Sequence, residues 1–394
     1  MSLIGWLKGS KVFHAAEHAA MELLPQLKSI AQWDGTMERG LLLAMKTAFG
    51  DAKAGRTMKY RAGVAITGVT LKYAGAVYSH RTGKVYFSPM AHTHFAEYDP
   101  VANTINEAFA AHGQAGATPL YFAGTCLLDD GRIFAVPFES MAAVVLDPTT
   151  GTVEAQTGGT LPGTTATQKF SGCTQAYTGE VIMAPYSGAT IIGRYNPTTR
   201  TYTAGPSTGG AGTFECATAH PNGNVYFSPL SASRVAWFDP DDNTYHTSAM
   251  SALSGSLRFQ GAVVVPSGKI VMIPFNYGQI GVYDPATDTW AESAAHGKGS
   301  NAWNGGHLLG DGRVLMIPRG ADNFGIFDPE SMTYSDGPTD VSWTAALAFC
   351  GGAMLPNGTC VAAPFNHTTV GLVDTWTIPN ASPMIWHHPA FQHY

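Results

Sequence analysis

The sequence predicts an all-β protein, a seven-bladed β-propeller of four-stranded antiparallel blades that is preceded by a short helical extension. Three observations lead to this prediction. A glycine recurs seven times at intervals of 44 to 48 residues, and a proline stands six residues after each of these glycines. An aspartate, replaced once by asparagine, follows each proline at a nearly constant distance. A repeat of this length that contains short β runs is typical of propeller blades.

The recurring glycine marks the turn between the first two strands of each blade. The seven glycines are Gly83, Gly131, Gly179, Gly223, Gly268, Gly312 and Gly358. Each follows Thr, Asp, Asn or Ser, which favours a two-residue hairpin in which the glycine has a positive φ. The proline ends the second strand because it has no amide proton for the β ladder. The third strand is predicted to end at an Asp-Pro turn such as Asp284-Pro285.

The innermost strand of each blade begins at an aromatic residue nine or ten positions before the hairpin glycine. Small residues follow the aromatic residue, as in Phe122-Ala-Gly-Thr. Small side chains are required there because seven sheets converge on one axis. The seven aromatic residues are Tyr73, Phe122, Phe170, Phe214, Phe259, Trp303 and Phe349.

The outermost strand of the last blade is missing from the C-terminal end of the repeat. Six earlier copies carry an aromatic or branched residue six positions after the aspartate or its asparagine replacement, but Asn380, preceded by Pro379, stands there in the seventh. We therefore predict that residues 58–61 supply this strand and close the ring, which removes the exposed sheet edges that an open stack of blades would leave. The propeller would then span residues 57–378.

Two segments lie outside the repeat. Residues 1–56 predict a helical N-terminal arm, because their Ala-, Leu- and Met-rich stretches have a period near 3.6. Residues 379–394 are rich in proline and aromatic residues and predict an extended C-terminal tail.

Composition excludes several classes of protein. Only 22 Lys and Arg residues are scattered along a chain of net charge -6, which argues against a nucleic-acid partner. No apolar run is long enough for a membrane span. The first 30 residues lack an uninterrupted signal-peptide core, so synthesis in the cytoplasm is expected. The five cysteines form no CxxC pair and predict buried, reduced thiols.

The loops between second and third strands, and the connections between blades, open on one face and differ among the repeats. Loops on a rigid scaffold commonly carry binding residues. The predicted binding face comprises His92, His94, Glu139, Arg234, Asn276, Tyr277, Gln279, Arg319, Asp322, Asn323, Asn366 and His367. Glu215, Gln260 and Asn304 follow the innermost aromatic residue in three consecutive blades and are predicted at the mouth of the central channel.

No catalytic residue, metal site or cofactor is predicted. Glu215 with two amides offers oxygen ligands for Ca²⁺, but a single carboxylate is a weak charge complement, which favours a hydrated polar lining. His92 and His94 lack a third ligand of matching kind. His14, Glu17 and His18 match the HxxEH spacing of inverted zinc peptidases, yet no surrounding domain could form their substrate cleft.

The repeat GxVxxxP followed by DPxT resembles the modules of seven-bladed propellers in bacteriophage virion proteins, especially tail and tail-fibre components. The resemblance covers residues 57–378 and implies a non-enzymatic structural or interaction protein located in the virion. Other virion proteins, or a host surface glycan or receptor, would be its partners within a larger oligomeric assembly. One alternative is a lactonase-like hydrolase or lyase that uses Glu215 at the channel mouth. Another is a carbohydrate-binding propeller that uses Trp237, Tyr277 or Trp303.

Overall fold

The computed structural model describes residues 58–67, 70–114, 120–140, 142–155, 168–210, 212–339 and 347–375. These residues contain 28 strands and no helix, and the strands form seven sheets of four antiparallel strands each. The predicted seven-bladed β-propeller is therefore confirmed. None of the described segments forms a helix that could cross a membrane. The predicted helical arm over residues 1–56 and the tail over residues 379–394 lie outside the described residues.

Each blade contributes four strands from the channel outward. The innermost strands of blades 1 to 7 are β2 (Tyr73–Ser79), β6 (Phe122–Leu127), β10 (Phe170–Gln175), β14 (Phe214–Ala219), β18 (Phe259–Val264), β22 (Trp303–Leu308) and β26 (Phe349–Met354). The second strands are β3 (Lys84–Pro89), β7 (Ile133–Pro137), β11 (Val181–Pro185), β15 (Val225–Pro229), β19 (Ile270–Pro274), β23 (Val314–Pro318) and β27 (Thr359–Pro364). The third strands are β4 (His94–Asp99), β8 (Val144–Leu146), β12 (Ile191–Asn196), β16 (Ala236–Asp239), β20 (Gly281–Asp284), β24 (Gly325–Asp328) and β28 (Thr369–Asp374). The outermost strands are β5 (Thr104–Ala111), β9 (Val153–Ala155), β13 (Thr201–Ser207), β17 (Thr244–Thr247), β21 (Thr289–Glu292), β25 (Thr333–Asp336) and, in blade 7, β1 (Lys59–Ala65).

Blade 7 joins the two ends of the propeller in one sheet. Strand β1 runs antiparallel to β28, with Lys59 opposite Asp374 and Arg61 opposite Leu372. The Arg61 guanidinium also donates to the Asp374 carboxylate across 3.1 Å. The first strand of the described chain is thus the outer strand of the last blade, and backbone hydrogen bonds hold the ring closed.

The turn between the first two strands is longer than the predicted two-residue hairpin. In blade 2, the Leu128 amide donates to the Arg132 carbonyl across 2.8 Å, and the Gly131 amide donates to the Leu128 carbonyl across 2.7 Å. This pattern encloses three residues with the glycine last, and it recurs in blades 3 to 7. The positive φ expected of each glycine is present, at 76° for Gly131. A type I turn followed by a left-handed glycine explains both features.

The core lies between neighbouring blades. One buried cluster, for example, contains Phe134 and Val136 of blade 2 together with Phe170 and Met183 of blade 3. Each innermost strand shifts its register just after the aromatic residue, as between Phe170 and Cys173. At this shift, the two residues after the aromatic residue have no Cα partner in the second strand.

A ring of glycines lines the axis where the blades approach most closely. The residue two positions after each core aromatic is Gly75, Gly124, Gly172, Cys216, Gly261, Gly305 or Gly351. A Cβ added to Gly172 would lie 2.7 Å from the Glu215 carbonyl oxygen, and one on Gly351 would lie 3.2 Å from the Gly75 Cα. At Gly172 and Gly351 the opposing atoms belong to the backbone of the next blade, so a side chain would collide with them, whereas blade 4 has Cys216 at the same position.

Candidate functional site

The loops between second and third strands lie on the same face of the disc as the connections between blades, because successive strands alternate in direction. The described loop residues are 90–93, 138–140, 142–143, 186–190, 230–235, 275–280, 319–324 and 365–368. We call this side of the disc the variable face. The twelve residues predicted for the binding face lie in or beside these loops, and most of them make contacts within the propeller.

In three blades, the residue three positions after the proline that ends the second strand is a histidine or tyrosine. Its ring packs on the core aromatic residue of the same blade. These pairs are His92 with Tyr73, Tyr277 with Phe259 and His367 with Phe349, with ring centroids 4.9, 5.0 and 4.8 Å apart. Burial lowers the pKa of His92, so its imidazole is neutral at pH 7. In these three loops the ring closes the top of the core.

Asparagine two positions after the proline links one blade to the next. The Oδ1 atom of Asn276 accepts a hydrogen bond from the Asn301 amide across 2.7 Å. In blade 7, Asn366 Oδ1 accepts from the Leu71 amide across 2.9 Å. Both amides belong to the chain that enters the following blade. The two asparagines therefore hold the blades together.

Side chains five positions after the proline reach the outgoing connection or outer strand of their own blade. The contacts are Arg234 Nη1 to the Ser248 carbonyl at 3.2 Å, Gln279 Nε2 to the Ser293 carbonyl at 3.1 Å, and Asn323 Nδ2 to Asp336 Oδ1 at 3.2 Å. Asn323 is also buried, with 3% of its surface exposed. Of these three side chains, Arg234 is exposed.

The other predicted loop residues have varied surroundings. His94 Nδ1 lies 2.9 Å from the Thr93 hydroxyl. Glu139 is buried beside the Lys169 ammonium. Burial lowers the pKa of Lys169, and the Glu139 carboxylate partly opposes this effect. Asp322 is exposed and accepts a hydrogen bond from Lys298 Nζ across 2.8 Å. Among these three acidic and imidazole groups, Asp322 is the most accessible to a partner.

Buried cations fasten three of the loops to the following blade, a feature that the sequence analysis missed. Lys72, Lys169 and Arg258 each stand just before a core aromatic residue, and at most 4% of each residue is exposed. They donate hydrogen bonds to the preceding blade's loop, at the carbonyls of His367 (3.3 Å), Ser140 (2.9 Å) and Ala232. We call these contacts the interblade clamps. The sequence does contain a signal for these contacts, because a cationic residue directly precedes the core aromatic residue in three blades of a chain that has few charges.

Two further histidines in the connections between blades were also missed. His112 Nε2 contacts the His92 carbonyl at 3.0 Å, and His296 Nε2 contacts the Tyr277 carbonyl at 2.8 Å. Both imidazoles also lie against the core aromatic of the next blade, as His296 does on Trp303 at 4.8 Å. Burial lowers the pKa of both histidines. They act as neutral packing groups that fix the loops.

The three residues predicted at the channel mouth separate into two groups. Gln260 and Asn304 are both buried, and Asn304 Nδ2 donates to Gln260 Oε1 across 2.8 Å. Glu215 instead accepts a hydrogen bond from the Ser171 hydroxyl and lies in the electrostatic field of Arg319. The mouth thus holds an amide pair and a carboxylate with a nearby cation.

Arg319, in the loop of blade 6, contacts side chains of the two neighbouring blades. Its guanidinium carbon lies 4.3 Å from the centre of the Phe365 ring and 5.6 Å from that of Phe275. Nη1 lies 3.5 Å from the Cys350 sulfur, and the buried Nε has no partner among the described residues. Cation–π contacts of this kind hold a guanidinium in place without neutralising its charge. The Arg319 charge therefore remains available at the mouth.

Burial sets the protonation of the channel-mouth groups. It raises the pKa of Glu215 to about 7, and the smaller effects of Arg319 and Ser171 lower it. Burial likewise raises the pKa of Tyr186 to about 12 and that of Cys350 to about 11. At neutral pH, the tyrosine and the thiol are protonated, whereas Glu215 is divided between its acid and carboxylate forms.

The five cysteines are all free thiols, as predicted. Cys350 and Cys360 are also buried, as expected, whereas Cys126, Cys173 and Cys216 are partly accessible, so the prediction of buried thiols is wrong for these three. Burial and a hydrogen bond with Cys126 raise the pKa of Cys173 well above its usual value. Such thiols are poor nucleophiles because the reactive form is the thiolate.

No metal centre is found among the described residues, where no three His, Cys, Asp or Glu side chains are grouped to hold an ion. Glu215 has a cation as its electrostatic neighbour, which opposes binding of a second cation. Trp303, proposed for carbohydrate binding, is fully buried and donates to the Asn323 carbonyl across 3.3 Å. Trp237 stacks on His246, with ring centroids 5.3 Å apart.

Comparison with known proteins shows similarity at the level of the fold. No protein family and no curated protein sequence matches this chain. A streptogramin B lyase superposes with a TM-score of 0.65 at 12% identity, over 80% of this chain and 97% of the lyase. A catalytically inactive histidine variant of virginiamycin B lyase from Staphylococcus aureus, with quinupristin, gives the same score and identity over 80% and 99% of the two chains. Hydrazine synthase from Kuenenia stuttgartiensis gives 0.59 at 12% identity over 81% and 99%. At these identities the likeness establishes the propeller fold alone.

Proposed function

We propose that this protein is an interaction protein of a bacteriophage particle, a tail component that uses the propeller as a rigid binding disc. The observation that carries the proposal is the internal fastening of the variable face. The interblade clamps at Lys72, Lys169 and Arg258 tie three loops to the following blades. A surface that keeps its shape without a ligand loses little conformational entropy on binding.

The repeat pattern supports the virion setting. The GxVxxxP and DPxT elements resemble modules of phage tail propellers, and the scaffold they specify is the one found here. Fold alone does not determine function, so the setting depends on the resemblance and requires its own test. The partner would be another virion protein or a host surface receptor.

Mass spectrometry of gradient-purified phage particles tests the virion setting directly. We expect the chain to band with intact particles at a fixed copy number relative to the major tail protein. Particles assembled without the chain should lack an attached tail component or fail to adsorb. Complete particles that contain none of the chain, and that infect normally without it, would contradict the proposal.

A second candidate is an enzyme, a lyase or hydrolase at the channel mouth, and one observation favours it. Glu215 has a pKa of about 7, which suits a general base at neutral pH. In a lyase reaction, Glu215 would accept a proton from the carbon next to a substrate carbonyl, and Arg319 would stabilise the negative charge on the carbonyl oxygen. The electron pair would then form a carbon–carbon double bond as the bond to the leaving group on the next carbon breaks. The two lyases of similar fold give this candidate a chemical precedent, although they share only 12% of residues with this chain.

The enzyme candidate is tested by incubating the purified protein with quinupristin, and separately with simple lactones, and following the substrates by mass spectrometry. General-base catalysis predicts that Glu215→Gln lowers the rate by about 100-fold or more. The control is Asp241→Asn, at an exposed position on the opposite face, which should leave the rate unchanged. Absence of turnover with all of these substrates, or equal rates in the two variants, would count against this candidate.

A further inference from the structure

A groove of about 550 Å³ lies at the rim of the disc, between blades 4 and 5. One wall is the connection that leaves blade 4, residues 249–254. The other wall carries the side chains of Tyr277, Asp288, Trp290 and Glu292. Its volume falls within the range of small-ligand sites. The groove is distinct from the channel mouth.

Two aromatic side chains converge on one carboxylate in this groove. The Tyr277 hydroxyl and the Trp290 indole nitrogen both donate to Glu292 Oε1, across 2.7 and 2.9 Å. Burial, followed by the Glu292 contact, raises the pKa of Tyr277 to about 12, so its hydroxyl remains a donor at neutral pH. Glu292 Oε2 accepts no hydrogen bond from the described part of the chain. A positioned acceptor is therefore left open to a ligand.

The neighbouring blade has a similar carboxylate that is already neutralised. In blade 6, the Tyr334 hydroxyl donates to Asp336 across 2.6 Å. The two residues are two positions apart, as Trp290 and Glu292 are in blade 5. Asp336 is paired with the Lys298 ammonium at 3.2 Å. Glu292 has no ion-pair partner in the described ranges. This contrast identifies Glu292, rather than Asp336, as a group available for binding.

The opposite wall of the groove is held in place without a ligand. The buried Arg258 donates to the carbonyls of Ser254 and Gly255 as well as to that of Ala232. At the other end of the wall, the Ala249 amide donates to Asp288 Oδ2 across 2.9 Å. One of the interblade clamps thus also shapes the groove.

We propose that this groove binds a saccharide. Hydroxyl groups of a sugar donate to carboxylate oxygens such as Glu292 Oε2, and they exchange hydrogen bonds with a wall hydroxyl such as that of Ser251. The apolar C–H groups of a sugar pack on aromatic rings, which Tyr277 and Trp290 supply. The inference rests on the proposed role of the propeller in recognition, but it does not require the virion setting.

The test is binding of the full-length protein to an array of bacterial surface oligosaccharides, followed by calorimetric titration with the best-bound oligosaccharide. Glu292→Gln should weaken binding at least 10-fold, because an amide replaces the open carboxylate oxygen. The matched control is Asp336→Asn in blade 6, which should bind within about twofold of the wild type. Melting curves of both variants establish that they are folded.

Three outcomes would overturn the saccharide assignment. The wild type could bind no oligosaccharide, or Glu292→Gln could bind as tightly as the wild type. Titration with tetramethylammonium could instead show Glu292-dependent binding without any sugar binding, which would reassign the groove to organic cations. If sugar binding fails while the chain still bands with phage particles, the groove inference falls and the proposed function stands.

Discussion

The protonation of Glu215 predicts a specific dependence of stability on pH. Burial raises the pKa of this group from 4.5 to about 7 in the folded protein. The folded state therefore binds the proton more tightly than the unfolded state does. The resulting contribution to stability is fully present below about pH 4.5 and is lost as the pH rises through about 7.

The size of this effect follows from the two pKa values. Each tenfold change in proton affinity corresponds to about 1.4 kcal/mol, so a pKa raised from 4.5 to about 7 corresponds to at most about 3 kcal/mol. Glu215→Gln removes the titrating group while keeping a side chain of similar shape. The variant should match the wild type near pH 4 and exceed it by up to about 3 kcal/mol at pH 8.

Urea unfolding of the wild type and Glu215→Gln between pH 4 and pH 8 measures the effect. The informative quantity is the difference in unfolding free energy between the two proteins at each pH, because other groups titrate equally in both. Asp241→Asn, on the opposite face, should show no such divergence. If the curves of the wild type and Glu215→Gln stay parallel over the whole range, Glu215 is not a buried group with a raised pKa.

Two further predictions concern the scaffold. Gly172→Ala should lower the unfolding free energy by about 1 to 3 kcal/mol, because the added Cβ would lie 2.7 Å from the Glu215 carbonyl oxygen. In thermal melts, Gly299→Ala, where a Cβ would meet no atom within 4 Å, should remain close to the wild type; equal effects would refute the axial packing. Deletion of residues 1–56 should leave a cooperative melt, whereas deletion of residues 1–65 removes β1, exposes the edge of β28 and should cause aggregation. Two truncations that melt alike would show that β1 is dispensable.

The fold could be predicted from sequence because its determinants are local and repeated. Glycine at a turn, proline at a strand end and a core aromatic residue each act within a few residues, and seven copies reinforce the signal. The length of the turn between the first two strands was mispredicted because a left-handed glycine ends both two-residue and three-residue hairpins. Gly131 has the same sign of φ in either, and only the pairing of Leu128 with Arg132 distinguishes them.

The use of the loop residues could not be predicted in the same way. Asn276 and Gln279 are polar residues in a loop whose sequence differs from blade to blade, which suggests a binding role. Their side chains, however, form hydrogen bonds with the backbone of Asn301 and Ser293. Backbone groups at loop ends need partners when water is excluded, and nearby polar side chains satisfy them. Sequence alone does not show which polar groups are already occupied.

Contacts between blades that are not adjacent in sequence could not be predicted from the sequence either. Glu215 belongs to blade 4 and Arg319 to blade 6, and their electrostatic coupling arises only when the ring closes. Trp290 stands at the outer-strand position where six of the seven copies carry an aromatic or branched residue, which indicates a packing role, but its indole nitrogen also donates to Glu292 in the groove. A residue can thus serve the repeat and still contribute to a site.

We propose that the variable face, rather than the opposite face, contacts the other proteins of a phage particle. The most direct measurement places a photo-reactive amino acid at exposed Ser231 or Thr368 on the variable face, and at Val101 or Ala286 on the opposite face. Our account predicts cross-links from Ser231 or Thr368 to a virion protein in purified particles, and none from Val101 or Ala286. Particles that contain the chain but cross-link only through Val101 or Ala286 would contradict it.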